Sequence, residues 1–339
     1  MKYLITGITG FAGPHLASLL LSHGHEVHGL IRGTSGRETD ILDILIPEEL
    51  FEIKFQKTDL LNYFQLSHII KKEQYNGVFH LAAQSHPGIS FSDPVKTFQE
   101  NVLGSVYLIE AIRTESKDTI LHFCSTSEVY GNQSKDIGTL FETFQLIPNN
   151  PYGASKASID IYMQERIRNG FINGFVTRAF SHTGPRRFKN FSIASDAYQL
   201  AEIQVTYFTD HPIDRILKIG NLKTERVVID VRDTVNAYYL LMQLFENKAD
   251  KPINGDFPHV FNVCGTQVRK MQYFTDELIR ISGLKNVQQV INPDFFRPVD
   301  IQVQVGNCDR LKDLTGWKPD IPIEKTLQDL FEYWVKKLS

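Results

Sequence analysis

The chain has 339 residues, of which 42% are apolar and 11% aromatic, enough to bury a core in one large domain or two coupled ones. Its formal net charge of −3 gives no basic surface that would attract nucleic acid or an anionic membrane. No apolar run approaches the roughly 20 residues needed to cross a bilayer, and the sequence enters a strand at Lys2 without a charged leader. We therefore expect a cytoplasmic protein with neither nucleic acid nor membrane as a partner.

The first half of the sequence alternates short β-branched and aromatic runs with longer helical patterns. This alternation is typical of βαβ units and predicts an α/β fold, a Rossmann-type doubly wound parallel sheet. The predicted strands are Lys2–Thr6, Glu26–Ile31, Glu52–Gln56, Gly77–Ala82, Ile120–Ser125 and Phe175–Arg178. The longest of the helices predicted between them is Thr97–Arg113.

The second half is less regular and predicts a smaller α+β unit. Strand-like segments at Leu217–Ile219 and Val260–Cys264 alternate with helical ones at Thr234–Phe245 and Glu324–Lys336. We predict a dinucleotide-binding domain over residues 1–178, to which a segment at about 226–265 returns, and a substrate-binding cap over residues 179–339. Their interface is the natural ligand cleft.

A glycine-rich turn follows the first predicted strand and opens a helix. Missing side chains allow backbone to approach phosphate closely, and free N–H groups at the helix start favour a pyrophosphate. An ordinary strand–helix turn is the alternative, but the position inside the first βαβ unit favours a dinucleotide site. The turn residues predicted to contact the cofactor are Gly7, Thr9, Gly10, Phe11, Ala12 and Gly13.

The end of the second strand bears on the choice of cofactor. An acidic residue there would bind the ribose hydroxyls of NAD, but the chain has Arg32, Thr34 and Ser35 instead. A guanidinium and two hydroxyls suit a 2′-phosphate, so we predict NADP rather than NAD. The alternative is a solvated basic loop. Asp59, after the third strand, is predicted to accept from the adenine amine or to cap a helix.

Tyr152 and Lys156 lie four residues apart at the start of a predicted helix and therefore share one face. An ammonium group near a phenol stabilises the phenolate, so we expect a lowered tyrosine pKa and proton transfer by this residue. Thr126, Ser127 and Glu128 end the fifth strand at the carboxyl edge of the sheet, where ligands bind.

The glycine turn and the Tyr-x-x-x-Lys motif resemble those of the extended short-chain dehydrogenase/reductases over nearly the whole chain. The resemblance implies an enzyme in which Tyr152, Lys156 and Thr126 are catalytic and Asn101 is structural. It also implies further residues beside the cofactor, namely Leu60, Leu81, Ala82, Ala83 and His182. Members commonly form homodimers through two helices, here Thr97–Arg113 and Tyr152–Asn169, and some form homotetramers.

Within that family, several segments look like the GDP-mannose 4,6-dehydratases and their sister 4-keto-sugar reductases. Phe11-Ala12 and Ser181–Pro185 depart from the dehydratase pattern toward the reductases, whereas the long Arg32–Arg37 loop and Glu128 favour dehydration. We predict a 4,6-dehydratase acting on GDP-mannose or a related GDP-sugar. An NADPH-dependent 4-keto reductase is the alternative, and a non-catalytic dinucleotide sensor is the alternative of another class.

In the dehydratase interpretation, Tyr152 removes the 4-hydroxyl proton and Glu128 acts as the base at C5 and assists water loss. Glu128 as an exposed loop acid is the alternative. Arginines suit the substrate diphosphate, with Arg186, Arg187, Arg226 and Arg297 as candidates. The residues predicted to bind substrate are Ser85, Ser127, Arg187, Arg226, Arg297 and Asp300. No metal site is predicted, and the three widely spaced cysteines are expected to be core residues.

Overall fold

A computed structural model describes residues 1–33, 38–206, 215–247 and 258–339. Its strands are β1 (Lys2–Thr6), β2 (Glu26–Ile31), β3 (Lys54–Lys57), β4 (Gly77–His80), β5 (Ile120–Thr126), β6 (Asn173–Ala179), β7 (Ser181–Thr183), β8 (Ile216–Ile219), β9 (Glu225–Asp230), β10 (Val260–Val263), β11 (Val268–Lys270), β12 (Gln288–Ile291) and β13 (Val303–Gln304).

The α-helices of these residues are α1 (Ala12–Ser22), α2 (Pro47–Glu52), α3 (Tyr63–Glu73), α4 (Pro87–Ser92), α5 (Pro94–Phe98), α6 (Gly104–Glu115), α7 (Ser134–Ile137), α8 (Pro151–Arg168), α9 (Ser192–Thr206), α10 (Val231–Glu246), α11 (Met271–Ser282), α12 (Asp309–Thr315) and α13 (Ile323–Leu338). Short 3-10 helices cover Glu38–Asp43, Ser127–Tyr130 and Pro293–Phe295. Among the helices of these described ranges, none is long and apolar enough to cross a membrane.

Seven strands form one parallel sheet in the order β10-β6-β5-β4-β1-β2-β3. The order reverses between β1 and β4, which leaves a crevice at the carboxyl ends of these two strands. The strands β1, β4 and β5 are almost wholly buried because helices cover both faces of the sheet. The predicted α/β doubly wound fold is thereby confirmed.

Two helical layers bury the faces of this sheet. On one face α1 and α10 pack together, and on the other α3, α6 and α8 do so. Part of the second half of the chain thus belongs to the sheet: α10 covers it, and β10 pairs with β6. Trp317 joins the same core and donates its indole N–H to the Asp233 carbonyl at 3.0 Å. The predicted division at residue 178 stays a prediction.

Two of the predicted elements need correction. The third strand begins at Lys54 rather than Glu52, because residues 47–52 form α2. Pro47 favours that helix start, and the Glu49 carboxylate accepts a hydrogen bond from the Ile46 N–H at 3.0 Å. The helix predicted at Thr97–Arg113 is α5 and α6 joined by a π-helical turn at residues 99–103.

A second cluster of apolar side chains lies in the cap. Helices α9, α11 and α13 pack against one another there. Short sheets adjoin this cluster, with β9 paired to β7, β11 and β13, and β8 paired to β12. Of the cysteines, Cys264 is buried as expected, whereas Cys124 and Cys308 are only half-buried.

Candidate active site

The glycine-rich turn lies at the carboxyl end of β1, where the sheet order reverses. A Cβ on Gly7, whose φ is +75°, would lie 2.8 Å from the Ala82 nitrogen. A Cβ on Gly13 would lie 2.5 Å from the Gly7 carbonyl oxygen, so neither position accepts a side chain. The turn is closed by a hydrogen bond from the Gly10 N–H to the Gly7 carbonyl at 2.9 Å. Its close backbone approach, followed directly by α1, fits a dinucleotide pyrophosphate.

The other predicted cofactor residues surround this crevice. Leu81, Ala82 and Ala83 follow β4 and are half-buried against the turn. Leu60 is half-buried against Gly104, at the start of α6. The Leu81–Ala82 backbone therefore adjoins Gly7 of the turn, whereas Leu60 adjoins the start of α6.

Arg32 lies between two carboxylates at the end of β2. Its Nη2 donates to Glu100 at 3.1 Å, and its Nε is 3.8 Å from an Asp59 oxygen. The other Asp59 oxygen accepts from the Leu61 N–H at 2.9 Å, so Asp59 also caps the local turn. Two acids beside Arg32 would oppose a 2′-phosphate unless Arg32 moves toward it. Thr34 and Ser35 lie outside the described residues.

Helix α8 carries the predicted catalytic pair. The helix begins after Asn150, whose side-chain oxygen accepts from the Gly153 N–H at 2.7 Å. Tyr152 and Lys156 consequently lie on its buried face, 9% and 4% exposed. The Lys156 ammonium lies 4.4 Å from the centre of the Phe123 ring.

Burial dominates the protonation of this pair. It lowers the pKa of Lys156 to about 8, although Cys124 and Asp160 act in the opposite direction. It also raises the pKa of Tyr152 above its ordinary value, which outweighs the hydrogen bond from Thr126 that lowers it. The lowered tyrosine pKa expected from the sequence is thus wrong, because burial outweighs the neighbouring groups that lower it.

Asn101 connects this helix to the segment after β4. Its side-chain nitrogen donates to the Gln84 carbonyl at 3.0 Å and to the Ser155 hydroxyl at 2.9 Å. Its side-chain oxygen accepts from the Gln84 N–H at 2.7 Å. Ser155 in turn donates to the Tyr152 carbonyl at 2.7 Å. The π-helical turn that carries Asn101 therefore helps to position Tyr152.

Thr126 and Glu128 lie at the end of β5, next to the start of α8. The Thr126 hydroxyl accepts from the Glu128 N–H at 3.2 Å. Both Glu128 carboxylate oxygens are engaged: Asn150 donates to one at 2.8 Å, and Arg297 donates to the other at 3.4 Å. The structure thus brings Thr126, Glu128 and Tyr152 together and links them to the cap through Arg297.

A cavity of about 780 Å³ lies between α4, α9, β9 and the segment around residues 294–300, and Arg297 in its wall donates to Glu128. Thr126, Glu128 and Tyr152 themselves are not among the residues that line it. Of the predicted site residues it is lined by His182, Arg187, Arg226, Arg297 and Asp300. Ser85 and Ser127 do not line it, since Ser85 is exposed outside it and Ser127 is buried behind the strand end. For these two residues the geometry gives no support to the predicted substrate contact.

Arg187 and His182 lie where the cavity meets the glycine turn. The Arg187 guanidinium is 4.7 Å from the Phe11 ring centre and 3.5 Å from that of Phe191. Burial lowers the pKa of Arg187 to about 10, so the group stays charged at neutral pH. The His182 ring stacks on Phe11, and burial lowers its pKa to about 4. Arg187 is therefore the cation of this end of the cavity, and His182 is neutral.

Arg226 and Asp300 form the far wall of the cavity. The Arg226 guanidinium donates to the Ile301 carbonyl at 2.6 Å and lies 3.5 Å from the Asp300 carboxylate. Asn221, not singled out by itself in the sequence, donates to the other Asp300 oxygen at 3.3 Å. Burial lowers the pKa of Arg226 while Asp300 opposes this shift. Arg226 thus supports the segment that carries Asp300.

Arg186 does not enter this cavity. The side chain of this candidate diphosphate ligand turns to the glycine-rich turn and donates to the Thr9 and Gly10 carbonyls. The candidate assigned from the sequence is therefore wrong as a substrate contact, because four hydrogen bonds hold the guanidinium elsewhere. Over the parts of the chain that the structure describes, no group of His, Cys, Asp or Glu side chains is arranged to hold a metal ion.

Comparison with known proteins identifies the family. The model of the family described as GDP-mannose 4,6 dehydratase matches residues 4–330. The chain belongs to the GDP-mannose 4,6-dehydratase family. Its membership makes it one of a group of dehydratase- and reductase-type enzymes, and it confirms the resemblance predicted from the glycine turn and the Tyr-x-x-x-Lys motif.

Relatives in this family carry both types of name. The GDP-6-deoxy-D-mannose reductase of Pseudomonas aeruginosa is 27% identical over 99% of this chain and 98% of its own length. The GDP-mannose 4,6 dehydratase 2 of Arabidopsis thaliana is 30% identical over 96% of this chain and 84% of its own length. A solved structure of RMD from Pseudomonas aeruginosa with NADPH has a TM-score of 0.79, 25% identity and 99% coverage of both chains.

Proposed function

We propose that this protein is an NADPH-dependent reductase that converts the 4-ketone of a GDP-4-keto-6-deoxy sugar to the alcohol. The observation that carries the proposal is the engagement of Glu128, whose two oxygens accept from Asn150 and Arg297. A dehydratase needs a carboxylate that reaches C5 of the sugar, whereas ketone reduction at C4 needs none, and these two hydrogen bonds hold Glu128 at Asn150 and Arg297. This choice departs from the dehydratase favoured by the sequence.

One relative also supports the reductase: the Pseudomonas aeruginosa GDP-6-deoxy-D-mannose reductase aligns with 99% of this chain at 27% identity. Tyr152 is protonated at neutral pH, as any tyrosine with the ordinary pKa of about 10 is, and burial raises its pKa further. A phenol is the form that donates a proton to a carbonyl oxygen, as reduction requires.

The turn formed by Gly7, Gly10 and Gly13 would hold the pyrophosphate of the nicotinamide dinucleotide, and Arg32 is the candidate for the 2′-phosphate of NADPH. When bound, NADPH supplies the hydride. The NADPH in the related Pseudomonas aeruginosa structure supports this choice over NADH. The diphosphate of the sugar nucleotide is assigned to Arg187 and Arg297, whose guanidinium groups line the cavity and suit a phosphate.

The chain's own residues then handle the proton. Tyr152 donates its phenolic proton to the C4 oxygen of the sugar, and the Thr126 hydroxyl holds the same oxygen. Lys156, on the same face of α8, stabilises the resulting phenolate by its charge. Its pKa of about 8 leaves the ammonium form in the majority at neutral pH. Asn101 keeps the helix start that carries Tyr152 in position.

A 4,6-dehydratase is the second candidate, and one observation favours it. Glu128 follows Thr126 within hydrogen-bonding distance and lies 14% exposed beside the cavity residue Arg297. If a bound diphosphate draws Arg297 away, Glu128 loses one of its two partners and becomes available as a base. Dehydration would then begin with Tyr152 as phenolate.

Two parallel reactions distinguish the candidates. The protein is incubated with GDP-mannose and NADP⁺, and separately with GDP-4-keto-6-deoxymannose and NADPH, and products are analysed by mass spectrometry. We expect reduction of the ketone and no loss of water from GDP-mannose. Water loss would replace the reductase with the dehydratase. Absence of both reactions with intact NADPH binding would instead indicate a dinucleotide sensor. Tyr152→Phe is the control and should lower turnover about 10²–10⁴-fold.

We also infer that two copies of the chain pair through α5, α6 and α8. An apolar groove on this surface supports the pairing, since Val95, Phe98 and Leu103 are 72%, 40% and 38% exposed. Apolar side chains clustered in this way mark interaction surfaces. Sedimentation analysis of Val95→Asp should show the monomer if the inference holds.

A further inference from the structure

Arg186 is a buried arginine in an unusual backbone conformation. The residue is 6% exposed, and its φ of 73° lies in the left-handed region that favours glycine. Such a conformation in a bulky residue persists only where surrounding contacts determine it. The contacts of Arg186 therefore stabilise this conformation and define its role.

Two of these contacts hold the glycine-rich turn. Arg186 Nε donates to the Gly10 carbonyl at 2.9 Å, and Nη2 donates to the Thr9 carbonyl at 3.1 Å. In a planar trans peptide the carbonyl points opposite to the N–H of the next residue. Fixing the Gly10 carbonyl therefore also fixes the direction of the Phe11 N–H, at the entry to α1. This is the N–H end that would face a pyrophosphate.

The remaining contacts connect Arg186 to the rest of the molecule. Its Nη1 donates to the Asp40 carbonyl at 2.5 Å and to the Asp43 carboxylate. The other Asp43 oxygen accepts from the Tyr333 hydroxyl at 2.7 Å and lies 3.7 Å from the Lys337 ammonium. Tyr333 and Lys337 belong to α13, which packs in the cap against α9 and α11.

We propose that Arg186 is a positioning residue that holds the glycine-rich turn in its dinucleotide-binding shape and couples this turn, through Asp43 and Tyr333, to the substrate cap. The inference rests on the proposed function in one respect only, that the turn binds a nicotinamide dinucleotide. It assigns no direct contact between Arg186 and any ligand.

The neighbouring Arg187 connects the contacts of Arg186 to the substrate cavity. Arg187 lines the cavity and stacks on Phe11, a side chain of the same turn. Arg186 thus contacts the backbone of the turn, and Arg187 contacts the Phe11 ring. A change in the position of Arg186 alters the turn. It also moves the backbone of Arg187, the residue to which we assign the diphosphate.

The test compares Arg186→Lys with wild type. Lysine keeps the charge but cannot supply donors in the planar fork that reaches four acceptors. NADPH and GDP affinities are measured by calorimetry, and thermal unfolding is measured without ligand. We expect NADPH to bind at least tenfold more weakly to the variant and GDP at least threefold more weakly. Arg280→Lys, at an exposed ion pair on α11, is the matched control and should change neither affinity.

Asp43→Asn tests the coupling separately. It leaves the Arg186 bonds to the turn in place but removes the charge between Arg186 and α13. We expect a threefold to tenfold loss of NADPH affinity at a temperature where the variant is fully folded. Lower thermal stability with unchanged NADPH affinity in Arg186→Lys would show a merely structural role and overturn the proposal. If Arg186→Lys does not fold, unchanged NADPH affinity in Asp43→Asn overturns it.

These outcomes are independent of the reaction that the protein catalyses. Wild-type protein that binds NADPH but acts on neither sugar nucleotide contradicts the proposed reductase and leaves the binding comparison intact. Wild-type protein that does not bind NADPH overturns both.

Discussion

Arg297 donates a hydrogen bond to the Glu128 carboxylate across 3.4 Å, although 169 positions separate the two residues in the chain. The bond joins the cavity wall of the cap to the strand end beside Tyr152. Phosphate is a competing partner for the same guanidinium, because charge-assisted pairs with phosphate form readily. The ion pair therefore connects the wall of the cavity to which we assign the diphosphate with the acid that separates the two candidate reactions.

Glu128→Gln is the substitution most informative about the reaction. In a reductase the amide keeps the shape of Glu128 but removes its charge and one of its two acceptor oxygens, and neither is used at C4, so we expect ketone reduction within about threefold of wild type. Base catalysis contributes about 10²–10⁴-fold, so a loss of this size in ketone reduction would show that Glu128 takes part in the proton transfer and would contradict the proposed mechanism. Steady-state kinetics with NADPH and the 4-keto sugar measure the difference. Glu277→Gln, at an ion pair on the cap surface, is the matched control.

Lys156→Met should make the protein more stable at pH 7. Burial lowers the pKa of Lys156 from 10.5 to about 8, so its charged form is disfavoured in the folded state. Between these values the unfolded chain binds more protons, and wild-type stability gains with rising pH. The extra free energy of unfolding of Lys156→Met over wild type should therefore be greatest below pH 8 and vanish near pH 10.5. Urea unfolding at several pH values measures it.

The exposed Lys72 provides the control for this experiment, since its side chain is 71% accessible. Lys72→Met should show no comparable pH-dependent gain in the free energy of unfolding. An advantage of Lys156→Met that does not change between pH 7 and pH 10 would contradict the assigned cause.

Asp196→Asn should show the opposite dependence on pH. Asp196 is buried between α9 and α11, where Thr275 donates to it at 2.6 Å, and burial raises its pKa from 3.8 to about 7. Between these values the folded state binds more protons, so wild-type stability falls as pH rises. The variant should match wild type near pH 4 and exceed it at pH 8.

Chemical denaturation at pH 4 and pH 8 decides this prediction. Asp276→Asn, on the exposed side of the neighbouring helix α11, is the control. Its free energy of unfolding should differ from that of wild type by the same amount at pH 4 and at pH 8. A variant that is less stable than wild type at pH 8 would show that the Asp196 carboxylate is stabilised by a partner when charged.

Arg178 and Asp160 form a buried ion pair behind the active site. Arg178 donates to both Asp160 oxygens, at 2.9 and 3.0 Å, and also to the Tyr130 hydroxyl at 2.9 Å. Arg178→Met leaves the carboxylate buried and unpaired, so we expect a loss of about 3–5 kcal/mol in the free energy of unfolding. The Arg280–Glu277 pair, whose arginine side chain is 69% exposed, should contribute only about 0–1 kcal/mol.

A double-mutant cycle with Asp160→Asn measures the interaction itself. The double variant should lose less free energy of unfolding than the two single variants lose together, because neither charge then remains buried without its partner. Additive losses would contradict the ion pair as the source of the effect.

Local pattern was sufficient for much of this protein. The alternation of strands and helices, the glycine spacing at positions 7, 10 and 13, and the four-residue spacing of Tyr152 and Lys156 all follow from short-range geometry. These features depend on backbone periodicity, which neighbouring residues determine. They were enough to predict the α/β fold and a dinucleotide-binding turn, and the resemblance of the two motifs to known ones implied the family.

Tertiary structure decided what each charged side chain does. The sequence left Arg186 as one of four candidates for the substrate diphosphate and predicted a lowered pKa for Tyr152. The fold turns Arg186 to the glycine turn, and burial raises the pKa of Tyr152. Likewise, only the fold pairs Glu128 with Arg297. Burial and contacts between residues more than a hundred positions apart set these properties, and neither is encoded in local spacing.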